Sequence, residues 1–254
     1  MAEETGIPWA DSTFNGWIGC NPVSPGCANC YAARSTPARV LHIIWGPHEP
    51  RWLTSDANWA QPRRWNAAHN AFFEKHGRRR RVFCASLSDV FDNRADPAWR
   101  ERLWRLVRAT PNLDWLILTK RVGNVRSMLP QDWGSGYPNV WLGISVVNQE
   151  EVDRDVPKLL SIPARVRWLS LEPLLGPVSL GGFKGADLFV DWVVVGGESG
   201  DDARPMEEVW VRPIRQDSED LGAAFFYKQK GGTDRLKGGC LLDGVEVKAF
   251  PLAA

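Results

Sequence analysis

No stretch of this chain reaches the roughly 18 consecutive apolar residues that a membrane-spanning helix requires. Its opening, MAEETGIPWADST, has neither the basic run nor the apolar core of a secretion signal. Both absences lead us to expect a cytoplasmic protein with no membrane partner. Charge of one sign is missing too: 31 lysines and arginines meet 30 aspartates and glutamates, a formal net charge of +1. No whole-surface field exists to draw in nucleic acid, so any such binding must use a local patch. Cysteine is scarce and odd in number, at five, and in a reducing compartment that excludes a disulfide framework.

What is present is an ordinary globular composition, 44% hydrophobic and 24% charged over 254 residues. That length suits one large α/β barrel or two small domains. Short apolar runs rich in β-branched and aromatic residues begin near Arg81, Asp114, Asn139, Val166, Asp191 and Ala223, 25 to 33 residues apart. They are apolar nearly throughout, as parallel strands buried on both faces are, and each interval leaves room for a helix. DPAWRERLWRLVRAT supplies one such helix, with Asp96-Pro97 as its start signal.

The spacing therefore predicts an α/β fold of about seven βα units: a parallel, TIM-like (β/α) barrel, full or partial, with an open doubly wound sheet as the alternative. We expect a single domain over residues 1–254, with an insertion at about 33–80 and an irregular tail from about 232 carrying a short hairpin around Asp243-Gly244.

In such a barrel the working residues lie at the C-terminal strand ends. Those ends are polar in succession: Ser86, Ser88 and Asp89; Thr119, Lys120 and Arg121; Ser145; Glu172; Gly196, Gly197 and Glu198; Lys228 and Gln229. The paired glycines suit close approach of a ligand to backbone, while Lys120 and Glu172 also read as a pair that closes the barrel without touching one.

The first βα connection, GWIGCNPVSPGCANCYA, brings Cys20, Cys27 and Cys30 within eleven positions. A structural zinc site takes four protein ligands, and no second close cysteine pair exists. His42 and His48 are the histidines nearest in sequence, without zinc-finger spacing. Three thiolates on a tight loop suit an iron–sulfur cluster with one iron open. Cys84 and Cys240 are isolated and read as plain thiols.

The three cysteines and their barrel context resemble the radical S-adenosylmethionine (SAM) superfamily. More closely, FNGWIGCNPVSPGCANCYA, LTKR, LGISV, LSLEPLLGPV, VVGGESGDDARPM and FYKQKGG together resemble a phage-associated, three-cysteine-motif family of unknown function. The resemblance implies a [4Fe-4S] cluster on Cys20, Cys27 and Cys30, with SAM chelating the fourth iron. An electron donor protein would drive reductive cleavage of SAM to a 5′-deoxyadenosyl radical. By the same resemblance Ser86, Ser88 and Asp89 hold the SAM amino group, Ser145 and Glu172 its carboxylate or ribose hydroxyls, and Gly196, Gly197 and Glu198 the adenine side. Lys120 and Lys228 meet the SAM carboxylate or an anionic substrate.

The cysteine spacing, x6 then x2, is longer than the superfamily's common x3 and x2. Asn29 stands where an aromatic is usual, leaving Trp17 or Tyr31 to supply that surface. Phage association points to a nucleic-acid substrate, and Arg63, Arg64 and Trp65 with Arg78-Arg79-Arg80-Arg81 offer charge and stacking to grip a strand. Alternatively the basic run is a solvated loop, the fourteen tryptophans mostly fill the barrel, and the substrate is a small metabolite or a partner peptide. The other reading of the whole chain is a non-enzymatic module with zinc on the cysteines and a nucleic-acid or protein partner.

Overall fold

The computed structural model describes residues 3–185, 189–233 and 238–252. Its strands are where the apolar runs placed them: all six begin within one residue of the expected start. The chain divides into two compact units, one of residues 1–22, 32–142 and 163–165, the other of 23–31, 143–162 and 166–254.

In the first unit, β1 (Ser12–Phe14) leads into β2 (Trp17–Ile18), which pairs antiparallel with β3 (Trp52–Leu53). Residues expected as an insertion form α1 (Thr36–Val40), β3, α2 (Asp56–Ala67) and α3 (His69–His76). Ser55 caps α2, its Oγ accepting from Asn58 N at 3.4 Å. Then follow β4 (Arg80–Cys84), α4 (Pro97–Arg108), β5 (Leu113–Thr119), α5 (Val122–Met128) and the start of β6 (Val140–Ser145). Asp96 caps α4 as its sequence signal foretold, accepting from Ala98 N at 2.8 Å, and buries Leu103, Trp104, Leu106 and Val107 on one face.

The basic run begins in the α3–β4 loop, with Arg78 and Arg79 33% and 39% exposed, and ends in β4 with Arg81 buried. Arg78 pairs with Asp11 at 2.6 Å and Arg79 with Asp114 at 3.6 Å. Arg80 lies over the Phe72 ring at 4.5 Å, and Arg81 lies over Trp141 at 5.5 Å. Arg78 thereby ties the N-terminal segment to the approach to β4, and Arg79 ties that approach to β5. Trp65, offered by the sequence as a stacking surface, is 4% exposed and belongs to the core.

In the second unit, α6 (Gln149–Leu160) precedes β7 (Val166–Leu171), β8 (Trp192–Gly196), α7 (Glu208–Asp220) and β9 (Ala224–Gln229). Asn148 caps α6 by accepting from Glu151 N at 2.9 Å. Among the described residues the β7–β8 connection carries only a 3-10 turn, Gly181–Phe183; its prolines and glycines leave no helical run. The expected hairpin is present as β10 (Leu241–Leu242) and β11 (Val245–Glu246), with Asp243 and Gly244 at φ 53° and 79°. Beyond it the tail covers the outer edge of β9, Tyr227 N donating to Val247 O at 2.8 Å and Ala249 N to Phe225 O at 3.0 Å.

The main sheet has seven strands in the order β1-β4-β5-β6-β7-β8-β9. Pairings of β1 with β4, β4 with β5, β7 with β8 and β8 with β9 are parallel. Order follows sequence and ends at β9, so the α/β class and the partial-barrel arrangement are both observed. Trp17, Trp115, Trp141, Trp168 and Trp192 are each under 2% exposed, which makes the tryptophans core material first. No helix among the described residues is long and apolar enough to cross a membrane.

Candidate functional site

Each polar residue singled out in the sequence stands at, or within five residues of, the C-terminal end of its strand. In the first unit that group is built around the end of β4. Gly19, at φ 110°, donates to Leu87 O at 3.0 Å and forms a parallel bridge with Ser88, so the backbone entering Cys20 is laid beside the β4 end. Asn15 reinforces this, accepting from Leu87 N at 2.6 Å and donating to Ser86 Oγ at 2.9 Å.

Asp89 is turned inward and is fully occupied by protein donors. Thr119 Oγ1 reaches its two oxygens at 2.8 and 2.9 Å, Phe91 N gives 2.9 Å and Lys120 N gives 3.1 Å. Ser88 Oγ is the contrast: buried, and without a hydrogen-bond partner. A buried hydroxyl left unpaired is costly, and Ser88 Oγ is one of several such side-chain atoms among the described residues.

Arg121, the residue after Lys120, ties this strand end to the first cysteine. Its Nη1 lies 3.3 Å from both Cys20 Sγ and Asp89 Oδ2, and its Nη2 donates to Asn21 O and Oδ1 at 2.9 Å. Behind it, Arg51 Nε meets Asp92 Oδ2 at 2.6 Å, and Arg51 Nη2 meets Asn21 Oδ1 at 3.1 Å. Burial first, and Asp89 second, push the Cys20 thiol up to about 12, while Arg121 pulls it down. Metal binding at such a sulfur would release its proton.

In the second unit the short loop carrying Cys27 and Cys30 is fixed from the segment after β8. A 3-10 turn, Pro25–Cys27, is capped by Ser24, whose Oγ accepts from Gly26 N at 3.1 Å, and Cys30 N donates to Cys27 O at 3.3 Å. Asn29 Nδ2 donates to Glu198 Oε2 at 3.0 Å and to Asp202 O at 2.7 Å. Arg204 grips Glu198 and donates to Pro25 O at 3.1 Å. Burial works against the Glu198 charge, but the hydrogen bonds from Arg204 and Asn29 outweigh it and hold the carboxyl down to about 2. Glu198 therefore anchors the cysteine loop, a role Asn29 shares at the position where an aromatic was expected.

Glu172 meets Lys228 at 2.7 Å and accepts from Ser170 Oγ at 3.0 Å, while its backbone oxygen accepts from Ser145 Oγ at 3.1 Å. A Cβ on Gly196 would stand 2.9 Å from Glu172 Oε1, and one on Gly197 would stand 1.9 Å from Lys230 O. The close approach that Gly197 permits is that of the backbone just after β9, at Lys230. Of the aromatic candidates, Trp17 is in the core at 1% exposure and Tyr31 is at the surface at 54%.

Sequence reasoning left Asn15, Asn29, Arg51, Asp92 and Arg204 out of the site, and named Arg121 only as a strand-end residue. Arg121 and Arg204 sit inside the quoted motifs LTKR and VVGGESGDDARPM, which was the signal available. Among the described residues, no three His, Cys, Asp or Glu side chains are gathered as a metal-binding group. The donor chemistry nevertheless fits an iron–sulfur cluster. All three cysteines are unpaired thiols, a cationic N–H is aimed at one sulfur, and an orphaned hydroxyl lies at the same strand end.

A family model described as a protein of unknown function, DUF5131, matches residues 4–251. No curated protein matches the sequence. Among solved structures the chain is similar to a mutant of spore photoproduct lyase, with 13% identity, a TM-score of 0.50, and 85% of this chain and 63% of that chain covered. A second mutant of that lyase, with bound AdoMet and dinucleoside spore photoproduct, gives 14% identity, a TM-score of 0.48, and coverages of 84% and 62%. This chain thus spans under two thirds of the lyase chains, and the likeness is one of fold.

Proposed function

The chain belongs to the DUF5131 family of proteins of unknown function, and from that premise we propose that it is a radical SAM enzyme. Cys20, Cys27 and Cys30 would hold a [4Fe-4S] cluster, and SAM would complete it. When bound, the cluster and SAM together supply one-electron cleavage of a carbon–sulfur bond, and with it radical chemistry at a substrate C–H.

One observation carries the reading. The two stretches that bear these cysteines are each anchored at the C-terminal end of a parallel strand, through the Gly19–Ser88 bridge and through Asn29 on Glu198. Fold likeness to spore photoproduct lyase supports the scaffold, and the three-cysteine resemblance supports the chemistry.

The chain's own residues then bind and orient. Ser86, Ser88 and Asp89, at the end of β4, take the SAM amino group, Ser88 Oγ being the one without a hydrogen-bond partner of its own. Ser145 and Glu172 serve its carboxylate or ribose hydroxyls, and Gly196, Gly197 and Glu198 form the adenine side, Glu198 acting from behind through Asn29. Lys120 and Lys228 meet the SAM carboxylate or an anionic substrate. A protein electron donor and a nucleic-acid substrate complete the proposal. Arg78 and Arg79 already carry ion pairs within the chain, which weighs against them as the grip on that substrate.

Reconstitution with iron and sulfide under anaerobic conditions tests this. We expect a brown protein whose broad visible absorption is lost in Cys30→Ala, and which cleaves SAM on reduction with dithionite. A colourless protein carrying stoichiometric zinc overturns it in favour of a binding module.

A further inference from the structure

Arg121 has an unusual set of partners for a strand-end arginine. Its Nη1 is shared between a cysteine sulfur, Cys20 Sγ, and a carboxylate oxygen, Asp89 Oδ2, both at 3.3 Å. Its Nη2 is fixed by Asn21 at 2.9 Å and lies 3.9 Å from Asp92 Oδ1. The side chain is 8% exposed, and Asp89 and Asp92 are 7% and 1% exposed. Four buried or nearly buried charges thus stand together: Arg121 and Arg51 against Asp89 and Asp92. Arg51 donates to Asp92, Gly46 O, Glu49 O and Asn21, whereas Arg121 places a cationic N–H on the sulfur itself.

We propose that Arg121 is the positioning residue that sets the reduction potential of the cluster, acting through its N–H···S contact with Cys20 and opposed by Asp89. The inference rests on the radical SAM reading above. Reduction brings one electron from a low-potential one-electron donor onto the cluster and adds one negative charge there. A cationic N–H on a ligand sulfur stabilises that added charge, so it raises the potential, whereas a nearby carboxylate lowers it. Poor solvent screening at these exposures makes both effects large.

The geometry also sets what each replacement does. Lysine at 121 keeps the charge but loses the fork that engages sulfur, carboxylate and Asn21 together. Glutamine keeps an N–H donor of shorter reach and removes the charge, leaving Asp89 uncompensated.

Midpoint potentials of reconstituted wild type, Arg121→Gln, Arg121→Lys and Asp89→Asn, followed by the EPR signal of the reduced state against a set of redox mediators, test the proposal. We expect a shift to lower potential in Arg121→Gln, a smaller one in Arg121→Lys and a shift to higher potential in Asp89→Asn. A residue that merely stabilises the fold would change melting temperature or cluster content without moving the potential in opposite directions. Should Arg121→Gln fail to fold, the order of Arg121→Lys, wild type and Asp89→Asn still decides the matter. Equal midpoints in cluster-loaded proteins overturn the inference alone; wild type that takes up no iron and sulfide overturns the radical SAM reading with it.

Discussion

Arg204 holds Glu198 through two charge-assisted hydrogen bonds, Nη2 to Oε1 at 2.6 Å and Nε to Oε2 at 2.8 Å. The same arginine donates to Pro25 O, and the same glutamate accepts from Asn29, so one ion pair fixes both sides of the loop that carries Cys27 and Cys30. Its strength has a pH signature. Glu198 is held at about 2 against an ordinary 4.5, so the pair's stabilisation is complete above about pH 4.5 and is lost as pH falls through 2. With Arg204 33% exposed, the contribution is on the order of 2 kcal/mol. Thermal unfolding of wild type and Glu198→Gln between pH 6 and 2.5 should converge on acidification. Profiles that stay parallel would show that the pair does not stabilise the native state.

That pair also shows where sequence reading stops. Strand positions were legible because each buried parallel strand must be apolar along its length, and its polar end marks the exit from the core. Side-chain partners were not, because Asn29 meets Glu198 across 169 positions and Arg121 meets Cys20 across 101. Long flexible side chains choose partners by fold, not by local pattern. Arg78 to Arg81 read as a loop or a phosphate grip for the same reason: Asp11, their counter-charge, lies 67 positions before Arg78. Gly196 and Gly197 were recognisable as a close approach, but nothing in the sequence said that the approaching backbone was the chain's own.

The two glycines should therefore respond unequally to alanine. At Gly197 the new Cβ would meet Lys230 O at 1.9 Å and Lys230 C at 2.7 Å, and the backbone is held there by Gly197 N to Gln229 O at 3.0 Å. Nothing in that pair of strands can yield cheaply, so Gly197→Ala should cost about 3 kcal/mol or more. At Gly196 the clash is with the end of the Glu172 side chain at 2.9 Å, which can rotate, and the cost should be about 1 kcal/mol. Urea unfolding of both variants checks the order, and equal losses would contradict it.

Asn15 is a second position whose importance the fold reveals. It is 1% exposed; its side chain bonds Leu87 N and Ser86 Oγ, and its carbonyl accepts from Thr54 Oγ1 and Asn58 Nδ2, each at 2.9 Å. Asn15→Ala strands a buried N–H at Leu87 and should destabilise by roughly 2–3 kcal/mol. Chemical denaturation measures it directly, and a loss below about 0.5 kcal/mol would mean water satisfies Leu87 instead.

Ser88 should behave in the opposite sense, and that contrast separates fold from function at the same strand end. Its Oγ is buried and makes no hydrogen bond, so Ser88→Ala removes an unsatisfied group and forfeits no contact within the protein. We expect stability unchanged or raised by up to about 1 kcal/mol. If that hydroxyl serves the SAM amino group, the same change should weaken SAM binding by about tenfold, the equivalent of one hydrogen bond of roughly 1.4 kcal/mol. Calorimetric titration of SAM into reconstituted wild type and Ser88→Ala, beside their melting curves, reads both quantities. A variant that loses stability while keeping its SAM affinity would reassign Ser88 to the scaffold, and would move the amino-group site away from the end of β4.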